Sequence, residues 1–329
     1  VTVRRVVLFS CVVLGGLLVQ MQARGQRPAE HTVNKAMVDR WMTELSNWGR
    51  WGTDDQKGTV NLLTPERRKR ALTAAREGVS VSLSHTYIER READATSPFG
   101  REMLPIGTGD FVSDRYSIAF HGYAHSHMDS LCHMSHDGRM YNGFPRSEVT
   151  EAGCARLAIS NFKQGIVARG VLLDIARLKG VKYLNTGVPI YVEDLEAAER
   201  KEGVTLQAGD ILLVRNGRWA RRADVGPWAT AQSGAGLHAS VLPWLKARDI
   251  AMLGSDTVND VLPSGVEGVF EPIHQVVIVA MGTPLFDNLD LEAVGDEAAK
   301  RGRWEFLLTA SPLAVETGTG SPLNPLAIF

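Results

Sequence analysis

Positions 121 to 136 read His-Gly-Tyr-Ala-His-Ser-His-Met-Asp-Ser-Leu-Cys-His-Met-Ser-His, five histidines and one aspartate in 16 residues. Neutral imidazole nitrogen and carboxylate oxygen are the donors that Zn²⁺ or Mn²⁺ takes. If the first part of this segment is extended, the period of two places His121, His125, His127 and Asp129 on one face. A lone histidine is usually a core or surface residue with an ordinary hydrogen bond. Several imidazoles and a carboxylate on one face are poorly placed in an apolar core without a cation, because unpaired polar groups are costly to bury. This density predicts a divalent-metal site.

The elements that must position these residues read as an α/β domain. Thr64-Pro65-Glu66 predicts a helix start, with Thr64 as N-cap and Pro65 at the first helical position, where its missing N–H costs nothing. That helix is expected to run to about Glu77 and to stop at Gly78. Glu151 to Phe162, Val192 to Lys201 and Ser240 to Arg248 also read as helices. Short apolar runs rich in β-branched residues predict strands at Gly170–Ile175, Ile211–Val214, Ile250–Leu253 and Val276–Val279. Strands interleaved with helices indicate α/β architecture. No repeat, low-complexity tract or long linker follows residue 33, so one domain spanning residues 24–329 is expected.

The composition excludes several function classes. The 329 residues carry 36 basic and 37 acidic side chains, a formal net charge of −1, which offers no global attraction to nucleic acid or an acidic membrane. Three cysteines are too few for a disulfide-built scaffold. Arg4 and Arg5 precede 14 uncharged residues, Val6 to Val19, shorter than the roughly 20 a spanning helix needs and suited to a signal-peptide core. Cleavage near Ala23 is expected, leaving an exported, periplasmic or secreted protein of formal charge −3 with Cys132 and Cys154. No membrane contact is expected after cleavage.

The histidine segment resembles the His-x-x-x-His-x-Asp-x-x-x-His signature of the cyclase family of metal-dependent hydrolases (kynurenine formamidase and isatin hydrolase-like). His127, Asp129 and His133 match its last three members. The first member falls on Tyr123, the family's usual Gly on His125, and its usual Pro on Leu131. The resemblance extends to a longer-chain branch through Trp51 to Glu66 (WGTDDQKGTVNLLTPE), residues 170–177 (GVLLDIAR), 209–218 (GDILLVRNGR), 253–257 (LGSDT) and 321–329 (SPLNPLAIF).

It implies a swivelling β/β/α domain, a homo-oligomer, and hydrolysis of a non-peptide carbon–nitrogen bond in a linear or cyclic amide. The metal set that follows is His125, His127 and Asp129, with His121 and Tyr123 as the other candidates for the first ligand. Glu271-Pro-Ile-His274 and Phe286-Asp287 resemble the family's second half-site, adding His274 and Asp287. His133 is then the expected general base and acid. A metal-dependent cyclase, dehydratase or lactone-opening enzyme, and a non-catalytic exported metal- or ligand-binding protein, are the competing readings.

Other residues carry less. Asp256 reads as a ligand-orienting carboxylate or a turn cap, and His238 as a helix-start residue. Cys132, between the polar positions of the motif, is expected to turn its thiol into the core. Trp48 or Trp51 could wall an aromatic pocket. The segments GVEG and TGTGS lack a phosphate-binding context, so no nucleotide cofactor is expected.

Overall fold

The apolar runs read from the sequence become the middle of one mixed sheet. A computed structural model describes residues 31–105, 107 and 109–329. Nine strands form the sheet: β1 (Ser80–Ser82), β2 (His127–Asp129), β3 (Ile166–Asp174), β4 (Ile211–Arg215), β5 (Met252–Ser255), β6 (Leu285–Asp287), β7 (Glu305–Ala310), β8 (Gly320–Pro322) and β9 (Leu326–Ile328). Their spatial order is β1-β9-β7-β3-β4-β5-β6-β2-β8. β3 to β6 are mutually parallel, whereas β2 and β8 on one side and β7, β9 and β1 on the other run antiparallel to their neighbours. Residues 170–174 of β3 and all of β4, β5 and β6 are buried, as expected of parallel strands covered on both faces.

Helices close the faces of this sheet. They are α1 (Lys35–Glu44), α2 (Pro65–Leu72), α3 (Val192–Glu202), α4 (Arg218–Val225), α5 (Leu242–Arg248) and α6 (Glu292–Arg301). Thr64 caps α2 through the Arg67 N–H and Pro65 opens it, as the sequence predicts, but the helix stops at Leu72, short of Gly78. Thr32–Phe329 is one compact unit, a mixed α/β domain. No described helix is long and apolar enough to cross a membrane. The expected signal peptide at 1–23 lies outside the described residues.

Three sequence-based expectations about elements are corrected. Val276–Val279 is not a strand: Gln275–Ala280 forms a π-helix continuing the helical turn Pro272–His274. A short apolar run buried on all sides carries no periodicity that separates strand from helix. Glu151–Phe162 is not a helix: Val149–Thr150 pairs with Gly153–Cys154 as a hairpin, and only Ile159–Phe162 coils, as a 3₁₀ turn. Gly153, at φ 100°, breaks the helical path there. The histidine segment is extended only over His127–Asp129, and residues 121–125 are bends, so the period of two does not govern them.

Candidate metal centre

Strand register assembles the first three donors. His127 and Asp129, two residues apart on β2, share a face. Antiparallel pairing sets Asp287 of β6 directly opposite His127, on that same face. The His127 Nε2 lies 3.4 Å from Asp129 Oδ1 and 3.8 Å from Asp287 Oδ2. His274, at the end of its helical turn, brings Nε2 to 3.1 Å from Asp287 Oδ2 and 3.7 Å from Asp129 Oδ2. All four side chains are buried.

A second set shares Asp129. His121 Nδ1 lies 2.9 Å from Asp129 Oδ1, and His133 Nε2 lies 3.9 Å from Asp129 Oδ2. The His121 and His133 rings stack at a centroid distance of 3.9 Å on the more open side of the cluster. His121 reaches this point from a loop, and Gly320 of β8 lets it. A Cβ at Gly320 would stand 2.5 Å from the Met128 carbonyl oxygen and 2.9 Å from His121 Cε1.

The residues fit a divalent cation. Asp129 is 1% exposed, yet neither of its oxygens is in hydrogen-bonding geometry with any group, and neither is His121 Nδ1. Donors at about 2.1 Å from a tetrahedral metal stand roughly 3.4 Å from one another, and the separations here run from 2.9 to 3.9 Å. Two overlapping groups have mutually close donor atoms, His127–Asp129–Asp287 and His121–Asp129–His133. Nitrogen with carboxylate oxygen suits Zn²⁺ or Mn²⁺.

The charges that surround each group set its protonation state, and His127 and His274 would have to give up a proton to bind a cation. Burial would raise the Asp129 carboxyl, but His133, His121 and His127 around it hold it well below the usual range, so it is ionised. Burial lowers the His133 imidazole to about 4, leaving it neutral near pH 7. Burial also works against charge on His274, but Asp287 and Asp260 overcome it and push that imidazole well above its ordinary value. Without a cation, His274 is the counter-ion of its carboxylates.

A supporting shell fixes the donors. Asp260 Oδ2 lies 2.7 Å from His274 Nδ1, and the Asp260 carboxylate also accepts the backbone N–H groups of Ile273 and His274. Asn259 donates to Asp287 Oδ1 at 2.6 Å. The His125 carbonyl lies 2.8 Å from His127 Nδ1, and Thr319 Oγ1 lies 2.9 Å from His121 Nε2. Such partners orient a ligand imidazole and select its tautomer. Sequence reasoning passed over Asp260, Asn259, Thr319 and the role of Glu271. The Asn259-Asp260 pair just beyond the LGSDT strand was the available signal.

The remaining candidates stand apart from the cluster. His125 is buried, but its ring joins neither donor group; it meets the Tyr87 ring edge-on at 5.4 Å. Its placement as a metal ligand depended on an extended segment, which the bends at 121–125 replace. The Tyr123 hydroxyl donates to Glu271 Oε1 at 3.1 Å. Burial and the neighbouring carboxylates push that hydroxyl above its ordinary value, and burial pushes Glu271 up to about 7.

Asp256 neither orients a ligand histidine nor caps the turn that follows it: it accepts the backbone N–H groups of Asn216, Gly217 and Arg218 and so caps α4, which lies earlier in the chain. His238 precedes a 3₁₀ turn and accepts the Ser240 N–H. Cys132 is buried as expected, and it is bonded to Cys154 in a disulfide, which excludes it as a nucleophile in this state. Trp48 is partly exposed with its indole N–H on the Val279 carbonyl, and Trp51 lies under the Arg50 guanidinium.

A domain of this topology with histidines and aspartates converging from β2, β6 and a helical turn defines a class of α/β protein with a metal-type donor cluster. The cyclase family matches residues 81–259, and the chain belongs to that family. Its structure is similar to that of a protein described as a novel cyclase, at 29% identity, a TM-score of 0.79, and coverage of 87% of this chain and 98% of the other. Isatin hydrolase A from Ralstonia solanacearum is similar at 21% identity and a TM-score of 0.53, covering 76% of this chain and 91% of the other. Isatin hydrolase A from Labrenzia aggregata, bound to benzyl benzoate, is similar at 17% identity and a TM-score of 0.55, covering 76% and 93%. No curated protein sequence matches the chain.

Proposed function

We propose that this protein is a metal-dependent hydrolase of a non-peptide carbon–nitrogen bond in a small linear or cyclic amide. The observation that carries this reading is Asp129, buried and without a hydrogen bond, encircled by imidazole nitrogens and a second carboxylate. His127, Asp129, Asp287 and His274 would hold Zn²⁺ or Mn²⁺, with His121 in place of the donor that Tyr123 cannot supply. When bound, such a cation supplies positive charge that acidifies water and polarises an amide carbonyl. The isatin hydrolases that share the fold act, by their names, on a cyclic amide, and they support the choice of bond.

His133 carries the proton. It is neutral, partly exposed, and set beside Asp129 at the open side of the cluster. Its Nε2 takes a proton from the attacking water as oxygen bonds to the carbonyl carbon. The same nitrogen returns the proton to the leaving nitrogen as the C–N bond breaks, so the transfer balances. Stacking on His121 holds the ring in place.

An exported, oxidising setting belongs to the same reading, and the Cys132–Cys154 disulfide supports it. The test is metal analysis of purified protein, followed by formanilide and isatin turnover with and without chelator. Metal bound and chelator-sensitive turnover of either amide are the expected results. Metal without turnover of either would turn the reading toward a cyclase, dehydratase, lactone-opening or binding protein.

A further inference from the structure

The bend that carries His121 has little of its own to hold it. Residues 121–125 lie outside any strand or helix, and among the described residues their backbone groups form no hydrogen bond with other backbone. Such a segment keeps one shape when side chains from elsewhere satisfy its polar groups. For the two residues after His121 those side chains are Asn288 and Arg218. Asn288 Nδ2 donates to the Gly122 carbonyl at 2.7 Å, and the Arg218 guanidinium donates through Nη2 to the Tyr123 carbonyl. Arg218 Nη1 also donates to Asn288 Oδ1 at 2.5 Å, so the two side chains form one clamp.

Both members are fixed before they reach the bend. Asn288 follows Asp287 at the end of β6, and its own carbonyl accepts the Ser126 hydroxyl at 2.8 Å. Arg218 opens α4, where Asp256 holds its N–H. It is 3% exposed, and a guanidinium is costly to bury unless its charge and donors are met. Asp94 at 3.4 Å meets the charge and is held from its other side by Arg222 at 2.8 Å. Charge alone could come from a lysine. A planar fork is what lets one side chain reach Asn288 and the Tyr123 carbonyl together.

We propose that Arg218 is a positioning residue for the metal centre: clamped with Asn288 onto the Gly122 and Tyr123 carbonyls, it holds the bend so that His121 Nδ1 faces Asp129. This role presupposes the metal-dependent reading, with His121 as a ligand. Zn²⁺ affinity of the purified full-length protein, measured by competition with a chromophoric chelator, tests it in a double-mutant cycle of Arg218→Lys and His121→Ala, with melting curves alongside. Arg218→Lys keeps the charge beside Asp94, so it is expected to fold, yet to bind Zn²⁺ about tenfold or more weakly. In the His121→Ala background the same substitution should weaken binding no further, because coupled residues are not additive. Arg218→Gln, uncharged and shorter, runs through the same cycle with the same expectation if lysine is not accommodated. Arg222→Gln also loosens Asp94 but bonds to no part of the bend, so it should lower Tm and leave Zn²⁺ affinity alone.

Unchanged affinity in the Arg218 variants, or losses that add in the double variant, would overturn the positioning role and leave the metal site standing. Arg222→Gln weakening the site as much as Arg218→Lys would overturn it too, by making the loop at Asp94 the cause. A wild type that binds no Zn²⁺ would sink the metal-dependent reading itself, and the positioning role with it.

Discussion

Asp287 faces His127 across the antiparallel pair of β6 and β2, and its carboxylate oxygen lies 3.8 Å from the imidazole Nε2. The two residues are separated by nearly half of the chain's length, and one strand register brings them together. Because the side-chain period along a strand is two, a slip of a single residue would send Asp287 to the opposite face. Aspartate is the shorter of the two acidic side chains, and the register still delivers it to the cluster.

Asp260 should control metal affinity without touching the metal. Its carboxylate lies 2.7 Å from His274 Nδ1 and accepts two backbone N–H groups that fix the same turn. Asp260→Asn is expected to weaken metal binding by roughly 10- to 100-fold, the usual effect of losing a carboxylate behind a ligand histidine. Competition with a chromophoric chelator measures it. Unchanged affinity would place His274 outside the metal's coordination.

Gly320 should tolerate no side chain. A Cβ there meets the Met128 carbonyl oxygen at 2.5 Å, backbone that cannot swing away, and crowds the His121 ring at 2.9 Å. Gly320→Ala is expected to lower Tm and to reduce metal content by displacing His121, whereas Gly302→Ala, with open space around it, should leave metal content alone. The comparison separates a local steric effect at the site from general strain at a glycine.

The Cys132–Cys154 disulfide should stabilise the domain and the cluster together. It closes a loop with a sequence separation of 22 and anchors the residue just before His133. Reduction, or the double substitution Cys132→Ala with Cys154→Ala, is expected to cost about 3 kcal/mol by the loop-closure relation and to lower kcat as His133 loosens. Thermal unfolding and turnover with and without dithiothreitol check both effects. Activity indifferent to reduction would show that the His133 segment is held by its other contacts.

Glu202 should make the fold less stable as pH rises. Burial raises its carboxyl from 4.5 to about 8, and while one oxygen accepts the Asp174 N–H, the other is buried without a partner. A raised folded-state value means that the native state binds the extra proton. Its contribution is therefore complete below about pH 4.5 and disappears as pH climbs through 8. Glu202→Gln, which keeps the Asp174 contact without a charge, is expected to raise Tm at pH 8 and to match the wild type near pH 4. Parallel melts at the two values decide it, and an equal gap at both would remove ionisation as the cause.

The local pattern was enough to determine a good deal. The donor types, their suitability for a metal and the α/β class are legible in the chain, because imidazole and carboxylate density and apolar strand runs are local properties. Thr64 with Pro65 announced the start of α2 for the same reason. His127 and Asp129 could be paired from sequence because they are two apart on a strand.

Tertiary structure decided what local pattern cannot carry. His121 came to the cluster and His125 turned away because the bends at 121–125 have no fixed period. Residues 275–280 coiled into a π-helix because burial on every side leaves no periodic signal. Asp260 reached His274 through a helical turn 14 residues on, and Asp287 reached His127 through strand register between segments far apart in the chain, contacts that only the completed fold can bring within a few ångströms.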